Sequence, residues 1–139
     1  MWKFKYCLVT HFSIELTRDM YLDGYHNLTA IDISEVVIQQ AKERDRDIPA
    51  ITCICNGFVR NKCVDEVMDC FNLSYPDGTF NVILDKSTLD TFLCSEEMFD
   101  KIPKYLEGVS RTLAKDGVFM VISFNEPSVV CIYVVSFGS

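Results

Sequence analysis

The chain has 139 residues, the length of one domain, and a domain of that length buries roughly 68–70% of the surface of its unfolded chain. Hydrophobic residues make up 49% of the sequence and aromatic residues 12%, a composition that argues against a disordered chain. Thirteen basic against twenty acidic residues give a formal charge of -7, so neither nucleic acid nor an anionic membrane surface is an expected general partner.

The cysteine content predicts a reducing, cytoplasmic environment. There are seven cysteines, an odd number, and we recognise no basic and apolar leader before them. Cys53, Cys55, Cys63 and Cys70 lack the paired spacing of structural zinc sites, so buried thiols are favoured over a metal site. The longest apolar run, residues 129–137, is shorter than the roughly 20 residues of a membrane helix, so no membrane span is predicted.

The first part of the chain alternates between strands and helices. Residues 2–9 favour a strand, and residues 13–22 favour a helix that ends before Gly24. Residues 27–32 favour a second strand, and Ser34 is a suitable N-cap for the helix that follows it. This alternation is typical of a parallel sheet with right-handed crossovers.

The middle of the chain contains the clearest strand. Residues 50–55 and 64–69 both favour a strand and compete for the third place in the sheet. The turn at residues 76–78 then leads into a buried strand over residues 80–84, whose apolar side chains do not alternate with polar ones. Such a strand is typically covered by helices on both faces, and Asp85 follows directly after it.

The last part of the chain predicts a helix and a final strand. Residues 88–94 favour a loop or a helical turn. Residues 95–113 favour a long amphipathic helix, which Pro103 should kink or split. Asp116 and Gly117 then form a turn before a buried strand over residues 118–124. We therefore treat residues 1–139 as one α/β domain.

Three acidic residues follow the predicted second, third and fourth strands: Asp32, Asp69 and Asp85. If the sheet is parallel, all three lie at one edge, where ligands of open α/β sheets bind. An acid after the second strand is suited to accept hydrogen bonds from ribose hydroxyls, so the pattern indicates an adenosine-type ligand. The alternative for each acid is a cap on the following helix.

Two stretches carry a resemblance to a known family. Residues 23–38 (DGYHNLTAIDISEVVI) and residues 68–90, which begin with MDC (68–70) and end with FNVILDKSTLD (80–90), resemble class I S-adenosylmethionine-dependent methyltransferases. More narrowly, they resemble the methyltransferase-like 13 group, with lysine methyltransferases of elongation factor 1-alpha and the methyltransferase region associated with endothelin-converting enzyme 2. The similarity covers residues 16–124. It implies a Rossmann-like, mostly parallel sheet with helices on both faces and methyl transfer to a protein lysine.

The same resemblance implies roles for individual residues, with S-adenosyl-L-methionine as cofactor and a protein as substrate. Asp32 would bind the ribose hydroxyls, and Ile33 would pack on the adenosine. Asp69 and Cys70 would border the adenine, and Asp85 would lie by the methionine part of the cofactor. The resemblance implies no catalytic residue that we can name.

The sequence departs from the family at three places. Thr10 and Phe12 occupy positions of a Gly-x-Gly loop after the first strand, and strain of about 1–3 kcal/mol at each would weaken cofactor binding by roughly 10- to 1,000-fold. Residues 52–63 resemble an insertion.

The third departure is that the chain stops soon after residue 124, so the sheet is expected to be incomplete and to self-associate through an unpaired apolar edge. A non-catalytic module with the methyltransferase fold is therefore the alternative to an enzyme. A nicotinamide dehydrogenase is less favoured, since no Gly-x-Gly-x2-Gly follows the first strand.

Overall fold

The computed structural model describes residues 4–10, 15–46 and 63–128. Five strands of this part of the chain form one sheet in the order β3-β2-β1-β4-β5. They are β1 (Tyr6–Thr10), β2 (Leu28–Asp32), β3 (Cys63–Val67), β4 (Phe80–Lys86) and β5 (Leu113–Ile122). Each neighbouring pair is parallel, so the carboxyl ends of all five strands lie at one edge, here called the carboxyl edge. The predicted Rossmann-like α/β fold is confirmed.

Helices lie on both faces of the sheet, and the central strand β1 accordingly carries apolar side chains on both of its faces. The helices are α1 (Glu15–Leu22), α2 (Glu35–Arg44), α3 (Thr88–Leu93) and α4 (Met98–Thr112). In β1, Leu8 packs towards α1, whereas its neighbours Cys7 and Val9 belong to the core cluster that contains α3 and α4. That cluster is the larger one, and Tyr105 of α4 is its largest fully buried side chain.

The N-cap predicted for the second helix is confirmed. The Ser34 hydroxyl oxygen accepts a hydrogen bond from the Val37 amide at 3.4 Å, and Ser34 has extended backbone angles, as an N-cap residue usually has. At the other end, the Asp45 amide donates to the Ala41 carbonyl at 2.9 Å. Helix α2 is therefore anchored directly after β2, and its start is fixed at the carboxyl edge.

Of the two alternatives for the segment after β4, a loop or a helical turn, the helical one is confirmed. Ser87 has a φ of 64°, a left-handed conformation that lets the chain reverse direction between β4 and α3. The Ser87 amide donates to the Ile122 carbonyl at 3.0 Å, which ties this reversal to the end of β5. Further along, α4 continues through Pro103 as one helix, so the predicted split is wrong.

The final strand begins earlier than predicted. Phe80 pairs with Leu113 and Val82 with Val118, so the predicted turn at residues 116–117 is an irregularity within β5. A Cβ at Gly117 would lie 2.7 Å from the Leu113 side chain, and a larger residue there would force that side chain to move.

The prediction that the backbone is strained at Thr10 is wrong. Thr10 lies in β1 and pairs with Lys86, and the non-glycine residues with positive φ in the described part of the chain are Asn27 and Ser87. Phe12, the candidate strand at residues 50–55 and the apolar run at residues 129–137 lie outside the described residues, as does nearly all of the proposed insertion at residues 52–63. The other candidate for the third strand, residues 64–69, is confirmed as β3. None of the helices described is both long and apolar enough to cross a membrane.

Strand β5 forms one border of the sheet and exposes an apolar stripe on the face opposite α4. Val118, Met120 and Ile122 are 52%, 51% and 46% exposed, whereas the alternate residues Phe119 and Val121 pack into the core. Within the described residues no further strand pairs with β5. An edge strand with this composition is suited to pair with another chain.

We expect this stripe to cause self-association. Met120→Lys should lower the associated fraction in sedimentation velocity at micromolar concentrations, because a charge in the middle of the stripe opposes edge pairing. Leu22→Lys, at a residue of α1 that is 64% exposed, is the matched control and should leave association unchanged. An unsubstituted chain that stays monomeric at high concentration would contradict the expectation.

Candidate functional site

A cavity of about 250 Å³ opens at the carboxyl edge, above the ends of β1 and β2. It is bounded by the residues that end β1 and β2, by the segment after β3 and by one side of α3. Its lining residues are Val9, Ile31, Asp32, Ile33, Met68, Asp69, Cys70, Phe71, Thr88, Thr91 and Phe92. Four of the five predicted site residues therefore share one cavity: Asp32, Ile33, Asp69 and Cys70.

Asp32 contributes the one carboxylate oxygen of the cavity that is buried and lacks a partner in the described part of the chain. Its side chain is the last of β2 and is only 5% exposed. Oδ1 accepts a hydrogen bond from the Ser34 amide at 2.8 Å, whereas Oδ2 has no hydrogen-bond partner within the described residues. A buried carboxylate oxygen without a donor is unfavourable, so this atom is suited to accept a hydrogen bond from a bound hydroxyl.

Asp69 stabilises a tight turn that forms one wall of the cavity. Its Oδ1 accepts from the Phe71 amide at 2.9 Å and its Oδ2 from the Asn72 side-chain amide at 2.8 Å. These bonds fix Cys70 and Phe71 against the cavity. Burial, and then the charges of Asp69 and Asp85, raise the pKa of the Cys70 thiol to about 12, so Cys70 is a protonated wall residue and not a nucleophile.

Asp85, the fifth predicted site residue, is not among the residues that line this cavity. Its side chain is fully buried, and Oδ1 accepts from the Thr88 amide at 2.9 Å. Oδ2 accepts from the Leu89 amide at 3.1 Å and from the Tyr105 hydroxyl at 2.7 Å. The alternative considered for each acid, a cap on the following helix, is therefore correct for Asp85.

Several residues of the cavity were not singled out from the sequence. The aromatic rings of Phe71 and Phe92 lie 4.9 Å apart and form an apolar wall, and Lys104 lies over the Phe71 ring at 5.6 Å. Thr88 and Thr91 of α3 also line the cavity, and their hydroxyls donate to the Val9 and Ser87 carbonyls at 3.4 and 3.1 Å. Thr88 lies within the family-like segment 80–90, and Thr91 and Phe92 come directly after it, but a six-residue helix is too short to show a helical period in the sequence.

A second cavity, of about 210 Å³, opens at the opposite, amino edge of the sheet. Its lining residues include Lys5, Asn27, Thr29, Tyr75 and Thr79. None of the residues predicted to form the site lines it.

Comparison with known proteins assigns the family. The sequence matches the family described as "Methyltransferase domain" over residues 9–131. It is 37% identical over 118 residues to the "eEF1A lysine and N-terminal methyltransferase" of Mus musculus, covering 84% of this chain and 15% of that protein. It is 29% identical over 120 residues to the "EEF1A lysine methyltransferase 4" of Mus musculus, covering 81% of this chain and 42% of that protein.

Solved structures agree on the fold. A SAM-dependent methyltransferase from Methanosarcina mazei superposes with a TM-score of 0.65 at 19% identity, covering 96% of this chain and 58% of that one. An S-adenosylmethionine-dependent methyltransferase from Clostridium acetobutylicum superposes with a TM-score of 0.60 at 20% identity, covering 85% and 42%. The chain belongs to the methyltransferase-domain family. It spans about 15% of the length of the eEF1A lysine and N-terminal methyltransferases that it matches.

Because the Tyr105 hydroxyl donates a hydrogen bond to Asp85, we expect substitution of Tyr105 to lower the stability of the chain. Tyr105→Phe should lower the free energy of unfolding by about 1–3 kcal/mol, because it leaves a buried carboxylate oxygen with one donor fewer. Urea denaturation followed by circular dichroism measures the change. Tyr25→Phe, at a ring that is 46% exposed, is the control and should change stability little. Equal stability of the two variants would contradict this account of Asp85.

The raised pKa values of two buried carboxyl groups predict that the free energy of unfolding depends on pH. Burial, partly offset by hydrogen bonds from Tyr105, Leu89 and Thr88, raises the pKa of Asp85 to about 6. Burial, with the nearby charge of Asp45, raises the pKa of Asp65 to about 6 as well, and both Asp65 oxygens lack a partner within the described residues. Because these values lie above the ordinary value of about 3.9, the folded state binds the two protons more tightly than the unfolded state.

This contribution to stability is fully present below about pH 4 and is lost as the pH rises through about 6. The free energy of unfolding should therefore be higher at pH 5 than at pH 7, by about 1 kcal/mol for each carboxyl. Asp65→Asn should remove about half of the difference in urea titrations at the two pH values. A chain that is more stable at pH 7 than at pH 5 would contradict the assignment.

Proposed function

We propose that this chain binds S-adenosyl-L-methionine in the cavity at the carboxyl edge and takes part in methyl transfer to a lysine of a protein. The observation that carries the proposal is the buried Asp32 Oδ2, which lacks a donor within the described residues and lies in that cavity. A ribose hydroxyl would supply the missing hydrogen bond. Family membership supports the same reading.

The remaining walls fit an adenosine group. Ile31, Ile33 and Phe92 give apolar surface for a purine ring, and the turn held by Asp69 gives backbone groups at the ring edge. In this proposal Ile33 packs on the adenosine, and Cys70 with Asp69 borders the adenine. Asp85 acts indirectly, since its hydrogen bonds hold the start of α3 and thereby Thr88 at the cavity.

The proposed cofactor supplies an activated methyl group on a sulfonium when it is bound. The residues of the chain bind and orient it. The Asp32 carboxylate accepts from the ribose, and Phe71 and Phe92 exclude water from one side of the cavity.

A basic protein segment is the substrate class that we propose. Two groups of relatives carry eEF1A lysine methyltransferase in their names, and the net charge of -7 favours encounter with a cationic partner. The charge disfavours general binding to nucleic acid for the same reason. Free cysteines at positions 7, 70 and 94 suit the reducing cytoplasmic location that we propose.

Isothermal titration calorimetry with S-adenosyl-L-methionine tests the proposal. We expect saturable binding that Asp32→Asn weakens by roughly 10- to 100-fold, since a hydrogen bond to a charged group contributes about 1.5–3 kcal/mol. Asp116→Asn, at an exposed acid far along the chain from the cavity, is the matched control and should bind as the unsubstituted chain does. No binding by the unsubstituted chain would overturn the proposal.

A methylation assay with labelled cofactor and recombinant eEF1A then separates the two readings of the chain. Label transfer that Asp32→Asn reduces would support the enzyme. Cofactor binding without transfer would favour the non-catalytic module that keeps the fold.

A further inference from the structure

Helix α3 has a second side that the proposed cofactor cavity does not use. Thr88, Thr91 and Phe92 line the cavity, whereas the carboxylate of Asp90 is bonded to the segment that follows β5. Asp90 is 9% exposed, so its two oxygens depend on protein donors. The same short helix therefore contacts both the cavity and the end of the last strand.

Three consecutive residues donate to this one carboxylate. The Ser123 hydroxyl donates to Oδ1, as does the Asn125 side-chain amide at 2.8 Å, and the Phe124 backbone amide donates to Oδ2 at 3.0 Å. The Ser123 oxygen also accepts from the Asn125 backbone amide at 2.9 Å. Hydrogen bonds to an ionised acceptor are stronger than neutral ones, so residues 123–125 are held in one conformation.

The charge state of Asp90 suits this arrangement. Burial raises its pKa, but the hydrogen bonds from Ser123, Phe124 and Asn125 outweigh burial and keep the pKa below the ordinary value. Asp90 is therefore an ionised acceptor at neutral pH.

The segment so held lies at the carboxyl edge. Strand β5 ends at Ile122, which pairs with Lys86 and accepts a hydrogen bond from the Ser87 amide. The residues that follow are therefore placed beside the start of α3. The Phe124 amide is bonded inwards while its side chain is 92% exposed, and Glu126 is exposed as well.

We infer that Asp90 is a positioning residue, which fixes residues 123–125 so that Phe124 contacts the methyl-accepting segment of the substrate. The inference rests on the proposed function and adds the acceptor side to it. An exposed aromatic ring with a carboxylate two residues away is suited to a lysine-bearing segment, since the ring face attracts an ammonium group and its alkyl stem packs on the ring. The ordinary alternative is that Asp90 only ties α3 to β5.

Two variants distinguish these readings. Asp90→Asn removes the charge that holds residues 123–125, and Phe124→Ala removes the proposed contact without touching the hydrogen bonds of Asp90. Leu22→Ala is the control for loss of an exposed apolar side chain, at the far end of α1. Ser123→Ala, which removes one of the three donors, serves as a milder variant should Asp90→Asn fail to fold.

Amide hydrogen exchange of the full chain measures how firmly residues 123–125 are held in one conformation. In Asp90→Asn the Phe124 amide should exchange at least roughly tenfold faster, with the amides of the cavity unchanged. Unchanged exchange at Phe124 would overturn the positioning role.

Steady-state methylation of recombinant eEF1A measures the acceptor contact. Asp90→Asn and Phe124→Ala should each raise KM for eEF1A by roughly tenfold, with kcat and the calorimetric Kd for S-adenosyl-L-methionine within about twofold. A Kd that weakens as much as KM rises, or a KM unaffected by Phe124→Ala, would overturn the inference in favour of a structural tie. Failure of the unsubstituted chain to bind S-adenosyl-L-methionine would instead overturn the proposed function, and the exchange data would still decide whether Asp90 holds the segment.

Discussion

The buried carboxylate of Asp85 is the constraint on which the carboxyl edge depends. Asp85 lies in β4. Its carboxylate accepts hydrogen bonds from two backbone amides of α3 and from the Tyr105 hydroxyl of α4. A buried charge is tolerated only when its oxygens have such donors, so the three elements are held in one arrangement. Ser87, with its left-handed φ of 64°, lies between β4 and α3 and makes the turn from the strand into the helix.

The candidate site follows from that arrangement. Because Asp85 fixes the start of α3, Thr88 and Phe92 are presented to the space above β1 and β2, where Asp32 keeps one oxygen without a donor in the described residues. Because Asp90 continues the same helix, the segment after β5 is tied to it from the other side. Asp85 and Asp90, which are five residues apart, thus connect the cavity with the end of β5 through helix α3.

The features of the fold that depend only on residues close together in the chain could be predicted from the sequence. The Ser34 cap, the strand that ends in Asp32 and the buried β4 depend on neighbouring residues and were predicted correctly. The burial of Asp85 could not be predicted, since it depends on Tyr105, which lies 20 residues further along the chain and reaches it only when α4 packs on the sheet.

Backbone context explains the other differences. Thr10 suggested strain because glycine was expected there, but the parallel ladder with β4 keeps it extended. Helix α3 is too short for a helical period, and Pro103 is accommodated in a helix whose remaining turns are fixed by core residues such as Tyr105 and Val109. The start of β5 was missed because its first residue pairs with β4 before the irregularity at Gly117.

The most direct test of the account is the mapping of amide chemical shifts by NMR as the chain is titrated with S-adenosyl-L-methionine. The account predicts changes at Ile33, Cys70 and Phe92, which line the cavity at the carboxyl edge, with Thr29 and Thr79 at the amino-edge cavity unchanged. Changes centred on Thr29 and Thr79, or no changes at either edge, would contradict it.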